Sequence, residues 1–80
     1  MSKINNEVLE IIAKSLEIKK EKVTMDSSTE NLEEWDSLGH LSILVSLDRK
    51  FNGQLAGIKE MAAASSVKSI FKILEDNSLI

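Results

Sequence analysis

Apolar residues recur along this chain in three separate rhythms. Between residues 3 and 17 they fall at Ile4, Val8, Leu9, Ile11, Ile12 and Leu16. That spacing is close to i, i+4, i+7, i+8, one stripe of an amphipathic helix. Asn5, Glu7, Glu10, Lys14 and Glu17 fall mostly on the opposite side. Residues 18–36 carry no sustained period. Segment 18–23 has room for one turn of helix, and Thr24-Met25-Asp26-Ser27-Ser28-Thr29 is rich in turn and cap formers. Val23, Met25 and Leu32 read as apolar anchors that pin this loop to a core, with a short helical turn expected near 29–32. A loop this long in so small a chain is usually functional or partly structured.

The second rhythm covers residues 37–51. Leu38, Leu41, Leu44, Val45 and Leu47 occupy more than one face, and Ile43 and Phe51 widen the apolar arc. A helix apolar over so wide an arc is expected at the centre of its bundle. Turn chemistry makes 52–57 a loop, and 58–62 reads as a short third helix. The third rhythm is Val67, Ile70, Phe71 and Leu74, a clean i, i+3, i+4, i+7 stripe with Ser65 or Ser66 as its cap. The tail from 75 to 80 is expected to fray. The pattern predicts an all-α domain over 1–80, with three main helices, one short helix and a long loop between the first two.

Composition narrows the picture. Eighty residues make one domain with a modest core. Trp35, Phe51 and Phe71 are the only aromatics, so the core is expected to be aliphatic. There is no cysteine, hence no disulfide and no thiolate metal site. No apolar run approaches the roughly 20 residues of a membrane span. The first seven residues carry no long apolar segment of the secretory kind, so a cytoplasmic location is expected. The net charge of −3 and pI near 5.1 argue against nucleic acid as a partner and permit one with a basic docking surface. No extended apolar stripe is expected to be exposed, so a monomer is the default.

The candidate chemistry sits in Trp35-Asp36-Ser37-Leu38-Gly39-His40-Leu41. An Asp just before an apolar helix is a good N-cap, because its carboxylate accepts free N–H groups of the first turn. Ser37 then falls at the first helical position, beside the positive end of the helix dipole. A phosphate on that hydroxyl would sit where backbone donors and the dipole favour an anion. Gly39 in the first turn costs about 1 kcal/mol against Ala, and such a glycine often marks close approach by a backbone, a prosthetic group or a partner.

With Asp36-Ser37-Leu38 opening its second helix, the chain resembles an acyl carrier protein. The tripeptide alone is short and common. The resemblance also takes in the first-helix stripe, the long loop, Leu32, the apolar second helix ending in Phe51, the capped last helix, the length and the acidity. It implies an acyl-carrier-like bundle. It implies that Ser37 receives 4′-phosphopantetheine from coenzyme A through a Mg-dependent holo-carrier synthase, a phosphopantetheinyl transferase. The thiol of that arm carries acyl or aminoacyl groups as thioesters for separate loading and transfer enzymes. Asp36 matches the motif aspartate, which caps the helix and aids modification, and Leu38 matches a residue that contacts partner enzymes. Ile58, Met61 and Ala62 fall where the family helps line a sheltered acyl groove.

The departures are informative. The second helix of fatty-acid carriers is usually acidic, whereas residues 37–51 hold one acid, Asp48, against Arg49 and Lys50. The acids cluster ahead of the serine at Glu30, Glu33, Glu34 and Asp36. Trp35 stands where the family often has a small residue. The motif looks like those of stand-alone carriers in specialised bacterial pathways more than the housekeeping carrier of fatty-acid synthesis. Leu38, Trp35, His40, Glu33 and Glu34 are the candidate partner contacts.

Each has a plainer reading. Ser37 is then an unmodified helix-start serine, Asp36 a simple cap, Trp35 a side chain packed over the helix entrance, and the glutamates a solvated face. His40, the only histidine, lacks co-ligands for a metal and is expected on the surface near the arm. No catalytic set or phosphate loop is suggested, so the chain is not expected to be an enzyme. Beside the acyl carrier stand an aminoacyl or peptidyl carrier and an unmodified helical interaction module.

Overall fold

The computed structural model describes residues 3–80. Among them are four α-helices: α1 (Lys3–Leu16), α2 (Ser37–Lys50), α3 (Glu60–Ala63) and α4 (Val67–Asp76). Two 3₁₀ turns, Lys20–Lys22 and Gln54–Gly57, lie in the connections. The described residues contain no strand, only an isolated bridge between Ser28 and Ser66. The fold is an all-helical bundle. None of its helices is long and apolar enough to cross a membrane, among the described residues.

The described residues extend 28 × 27 × 18 Å. Two helix layers with axes about 8–10 Å apart fit the short dimension and three do not, so the core is a single layer of side chains between them. From α1 it takes Val8, Leu9, Ile12, Ala13 and Leu16, from α2 Ile43 and Leu47, and from α4 Val67, Ile70, Phe71 and Leu74. The α4 stripe is the one the spacing predicts. Ser66 caps that helix: its Oγ accepts the Ser69 N–H at 3.1 Å, and the Ser69 Oγ accepts the Ser66 N–H at 3.2 Å. This reciprocal pair is a capping box with serine in the place usually held by Glu or Gln.

The wide apolar arc of α2 does not make it central. Leu38, Leu41 and Val45 are exposed, because a helix on a one-layer core has one face to bury. The expectation that no apolar stripe is exposed is corrected by the same three residues.

The long loop is structured throughout. Val23 is buried as an anchor and Leu32 is half-buried, while Met25 is exposed. The buried Ser27 Oγ accepts the Thr24 N–H at 2.9 Å and donates to the Lys22 carbonyl at 3.3 Å, which satisfies it. The Thr29 N–H donates to Ser65 O at 2.9 Å and the Val67 N–H to Ser27 O at 3.0 Å. These two bonds sew the loop to the start of α4. The turn expected near 29–32 is a single one, closed by the Leu32 N–H on Ser28 O at 3.1 Å. Segment 52–57, read as loop, contains the turn Gln54–Gly57, and the short helix begins two residues later than its pattern, at Glu60.

The three long helices end in the same way. Glu17, Asn52 and Ser78 have φ of 58°, 57° and 59°. In each case the next residue donates back five positions: Ile18 to Ala13 O at 3.0 Å, Gly53 to Asp48 O at 2.8 Å and Leu79 to Leu74 O at 2.9 Å. These are Schellman terminations with a left-handed residue other than glycine. The last one corrects the frayed tail, since it folds Leu79 and Ile80 back against the core.

A left-handed residue with a side chain is strained by roughly 1 kcal/mol, and glycine relieves that strain at some cost in unfolded-chain entropy. Glu17→Gly is therefore expected to stabilise the protein by about 0.5–1 kcal/mol, read as a higher urea midpoint with an unchanged slope. A lower midpoint would mean that the Glu17 side chain contributes more than its backbone strain costs.

Candidate functional site

Asp36 has extended backbone angles (φ −99°, ψ −168°), and its Oδ1 accepts the Gly39 N–H at 2.8 Å. Its carbonyl accepts the His40 N–H at 2.8 Å, the first hydrogen bond of α2. Asp36 is thus the N-cap that its position predicts, and Ser37 is the first residue of α2 with its side chain exposed. The positive end of the dipole lies at this hydroxyl.

Gly39 is there because of close approach. A Cβ at this position would lie 2.5 Å from the Glu34 carbonyl oxygen and 2.7 Å from Leu16 Cδ2. The first turn of α2 is pressed against both the residues that lead into it and the last residue of α1. Of the three candidates for that approach, the structure identifies a neighbouring backbone.

Trp35 takes the packed position of its plainer reading, and His40 differs from expectation. Trp35 is 2% exposed, so a direct partner contact is corrected to a core position. Its indole N–H donates to His40 Nδ1 at 3.1 Å. His40 is half-buried, and its Nε2 is 2.9 Å from the Met61 carbonyl oxygen. Both ring nitrogens are engaged inside the protein, which corrects the surface role read for this histidine. A carbonyl 21 residues away completes the contact, and no local pattern announces it.

Leu38, at 76% exposed, starts a stripe that continues through Leu41 (57%) and Val45 (46%) at i, i+3, i+7. Sequence reasoning assigned Leu41 and Val45 to the buried arc. The signal that separates them was present: α2 carries more apolar residues than one face holds. Glu33 and Glu34 are exposed beside the helix start. No lysine or arginine occurs from 23 to 48, a stretch with six acids, whereas the rest of the chain has seven acids and ten basic residues. Three of these acids, Glu33, Glu34 and Asp36, are exposed at the start of α2 next to Ser37.

Beside Ser37 runs an open groove of about 600 Å³, lined by Thr29, Trp35, Asp36, Ser37, His40, Leu41, Leu44, Ala62 and Ala64. A second hollow of about 300 Å³ adjoins it through Leu44 and Ala62 and reaches Asp48, Leu55 and Ile58. Thr29 and Ala64 enter the site only through tertiary packing. Among the described residues no group of three or more His, Asp or Glu side chains is placed to hold a metal ion.

The crowding at Gly39 makes a prediction. Alanine gains about 1 kcal/mol of helix propensity, but it forces a backbone carbonyl and Leu16 away, at about 1–3 kcal/mol. Gly39→Ala is expected to lower stability by up to about 2 kcal/mol in urea unfolding. Equal or higher stability would show that segment 34–36 can withdraw freely.

No protein-family model matches this chain, and no curated protein matches it either.

Proposed function

We propose that this chain is a carrier protein that bears 4′-phosphopantetheine on Ser37. The observation that carries the reading is the setting of Ser37: an exposed hydroxyl at the first residue of α2, capped by Asp36, at the mouth of an apolar groove and beside exposed Leu38 and Leu41. The resemblance of Asp36-Ser37-Leu38 and its surroundings to acyl carrier proteins supplies the identity of the group.

The residues present fit such a group. Ser37 Oγ is open to solvent, so its oxygen is accessible to take the phosphopantetheinyl group from coenzyme A, losing its proton as adenosine 3′,5′-bisphosphate leaves. Asp36 fixes the first turn that presents this oxygen. The dipole of α2 favours the phosphodiester charge, while the nearby carboxylates of Glu33, Glu34 and Asp36 oppose it through solvent. The arm supplies a thiol that holds acyl or aminoacyl groups as thioesters. The protein supplies attachment, presentation and recognition, and is not itself an enzyme. Its partners are a holo-carrier synthase and the enzymes that load and use the cargo, in the cytoplasm, with the chain acting as a monomer.

The exposed stripe Leu38, Leu41 and Val45 gives partners an apolar contact, and the acids at Glu33 and Glu34 steer basic surfaces toward it. The stripe also favours a second reading, a helical interaction module that never bears the arm.

Intact mass after incubation with coenzyme A, Mg²⁺ and a broad-specificity holo-synthase separates the two. The wild type is expected to gain one phosphopantetheine, and Ser37→Ala none, with stability within about 0.5 kcal/mol of wild type as for other surface changes. No gain with synthases of several types, on a chain that keeps its helical circular dichroism, overturns the carrier reading in favour of the interaction module.

Docking is tested by the salt dependence of the transfer rate. The rate is expected to fall as salt rises. Glu33→Gln with Glu34→Gln should flatten that dependence, whereas Leu41→Ser should slow transfer at every salt concentration. A salt response unchanged by the double variant would show that these two acids do not steer.

A further inference from the structure

Opposite α2, the groove beside Ser37 is bounded by Ala62 and Ala64, and the hollow that adjoins it by residues of segment 55–62; this second wall is tied to α2 by polar side chains at two points. At the far end, Asp48 Oδ1 accepts the Leu55 and Ala56 N–H groups, each at 3.1 Å. At the end near Ser37 the tie is His40 to the Met61 carbonyl at 2.9 Å. Leu55 and Met61 bury their side chains at the ends of the wall and Ile58 packs on the core, while Ala56, Gly57, Lys59 and Glu60 between them are exposed. Gly53, at φ 81°, precedes the wall, and Gly57 interrupts it with open space around its Cα.

The partners determine the state of the His40 ring. An indole N–H can only donate, so Nδ1 must be the acceptor and carries no proton. A carbonyl oxygen can only accept, so Nε2 carries the proton and donates to Met61. Trp35 is locked in the core, so this relay transmits a fixed position from the core through His40 to the wall. Without the ring, the buried Trp35 N–H would lose its acceptor, and Met61 O would keep only the Ala64 N–H at 3.3 Å.

We propose that His40 is a positioning residue that latches Met61 to α2, and with it the neighbouring Ala62 and Ala64, and so sets the width of the groove beside Ser37. The latch belongs to the unmodified chain. It therefore stands or falls separately from the attachment of any group to Ser37.

The test uses ¹⁵N-labelled full-length protein without the arm. Imidazole ¹⁵N shifts and two-bond couplings of the wild type should report a single Nε2–H tautomer. In His40→Leu, which makes neither bond, the amides of Met61, Ala62 and Ala64 should exchange at least tenfold faster relative to those of α4. In His40→Gln, whose oxygen can accept from Trp35 and whose nitrogen can donate to Met61, most of that protection should return. Three results would each overturn the proposal: an Nδ1–H tautomer, wall amides in His40→Leu accelerated no more than those of α4, or a glutamine variant indistinguishable from the leucine one. If His40→Leu fails to fold, the wild-type tautomer and the exchange of the wall in His40→Gln decide it.

Discussion

The indole of Trp35 is the constraint on which the rest of this small protein depends. It is the largest buried side chain in a core of otherwise mostly aliphatic residues. Its N–H cannot be left without an acceptor there, since an orphaned buried donor costs about 1–3 kcal/mol. His40 provides the acceptor, one turn into α2, and passes the restraint on to the Met61 carbonyl. Burying Trp35 therefore ends the long loop, orients the entry to α2 and seats α3 together.

The thinness of the bundle explains the character of its surface. A single-layer core leaves α2 with Ile43 and Leu47 inside and Leu38, Leu41 and Val45 outside. Leu38, the first of them, lies at the start of α2 beside the exposed acids Glu33, Glu34 and Asp36. Apolar surface and carboxylates thus adjoin the exposed hydroxyl of Ser37. Such a combination suits a protein approached by other proteins, with the field acting on encounter and the apolar stripe on residence.

The connections are held by short polar side chains rather than by bulk. Ser27, Asn31, Asp48, Ser66 and Ser69 each satisfy backbone groups of a turn or helix end. The long helices stop at left-handed Glu17, Asn52 and Ser78, where the carbonyls of the last turn need donors more than the backbone resists the conformation. Ion pairing adds a tie between Lys50 and Glu7 that links the end of α2 to α1. The exposed pair Lys68–Asp26, at 3.5 Å, contributes little.

Much of this was legible in the sequence, and the legible part is local. The stripes of α1 and α4, the cap at Asp36, the exposed start at Ser37 and the unusual Gly39 all follow from interactions within one or two helical turns. Spacing and capping act over that distance, so the residues alone determine them. What lay beyond is set by which surfaces the other helices cover. Trp35 was legible as packed or as a partner contact without a way to choose between them, and His40 was not legible as a link to a carbonyl 21 positions away. The apolar arc of α2 announced its width, but only packing against α1 decided that Ile43 turns inward and Leu41 outward. The groove, bounded by residues as distant as Thr29 and Ala64, exists only once the chain has folded, because its walls come from segments with no local interaction between them.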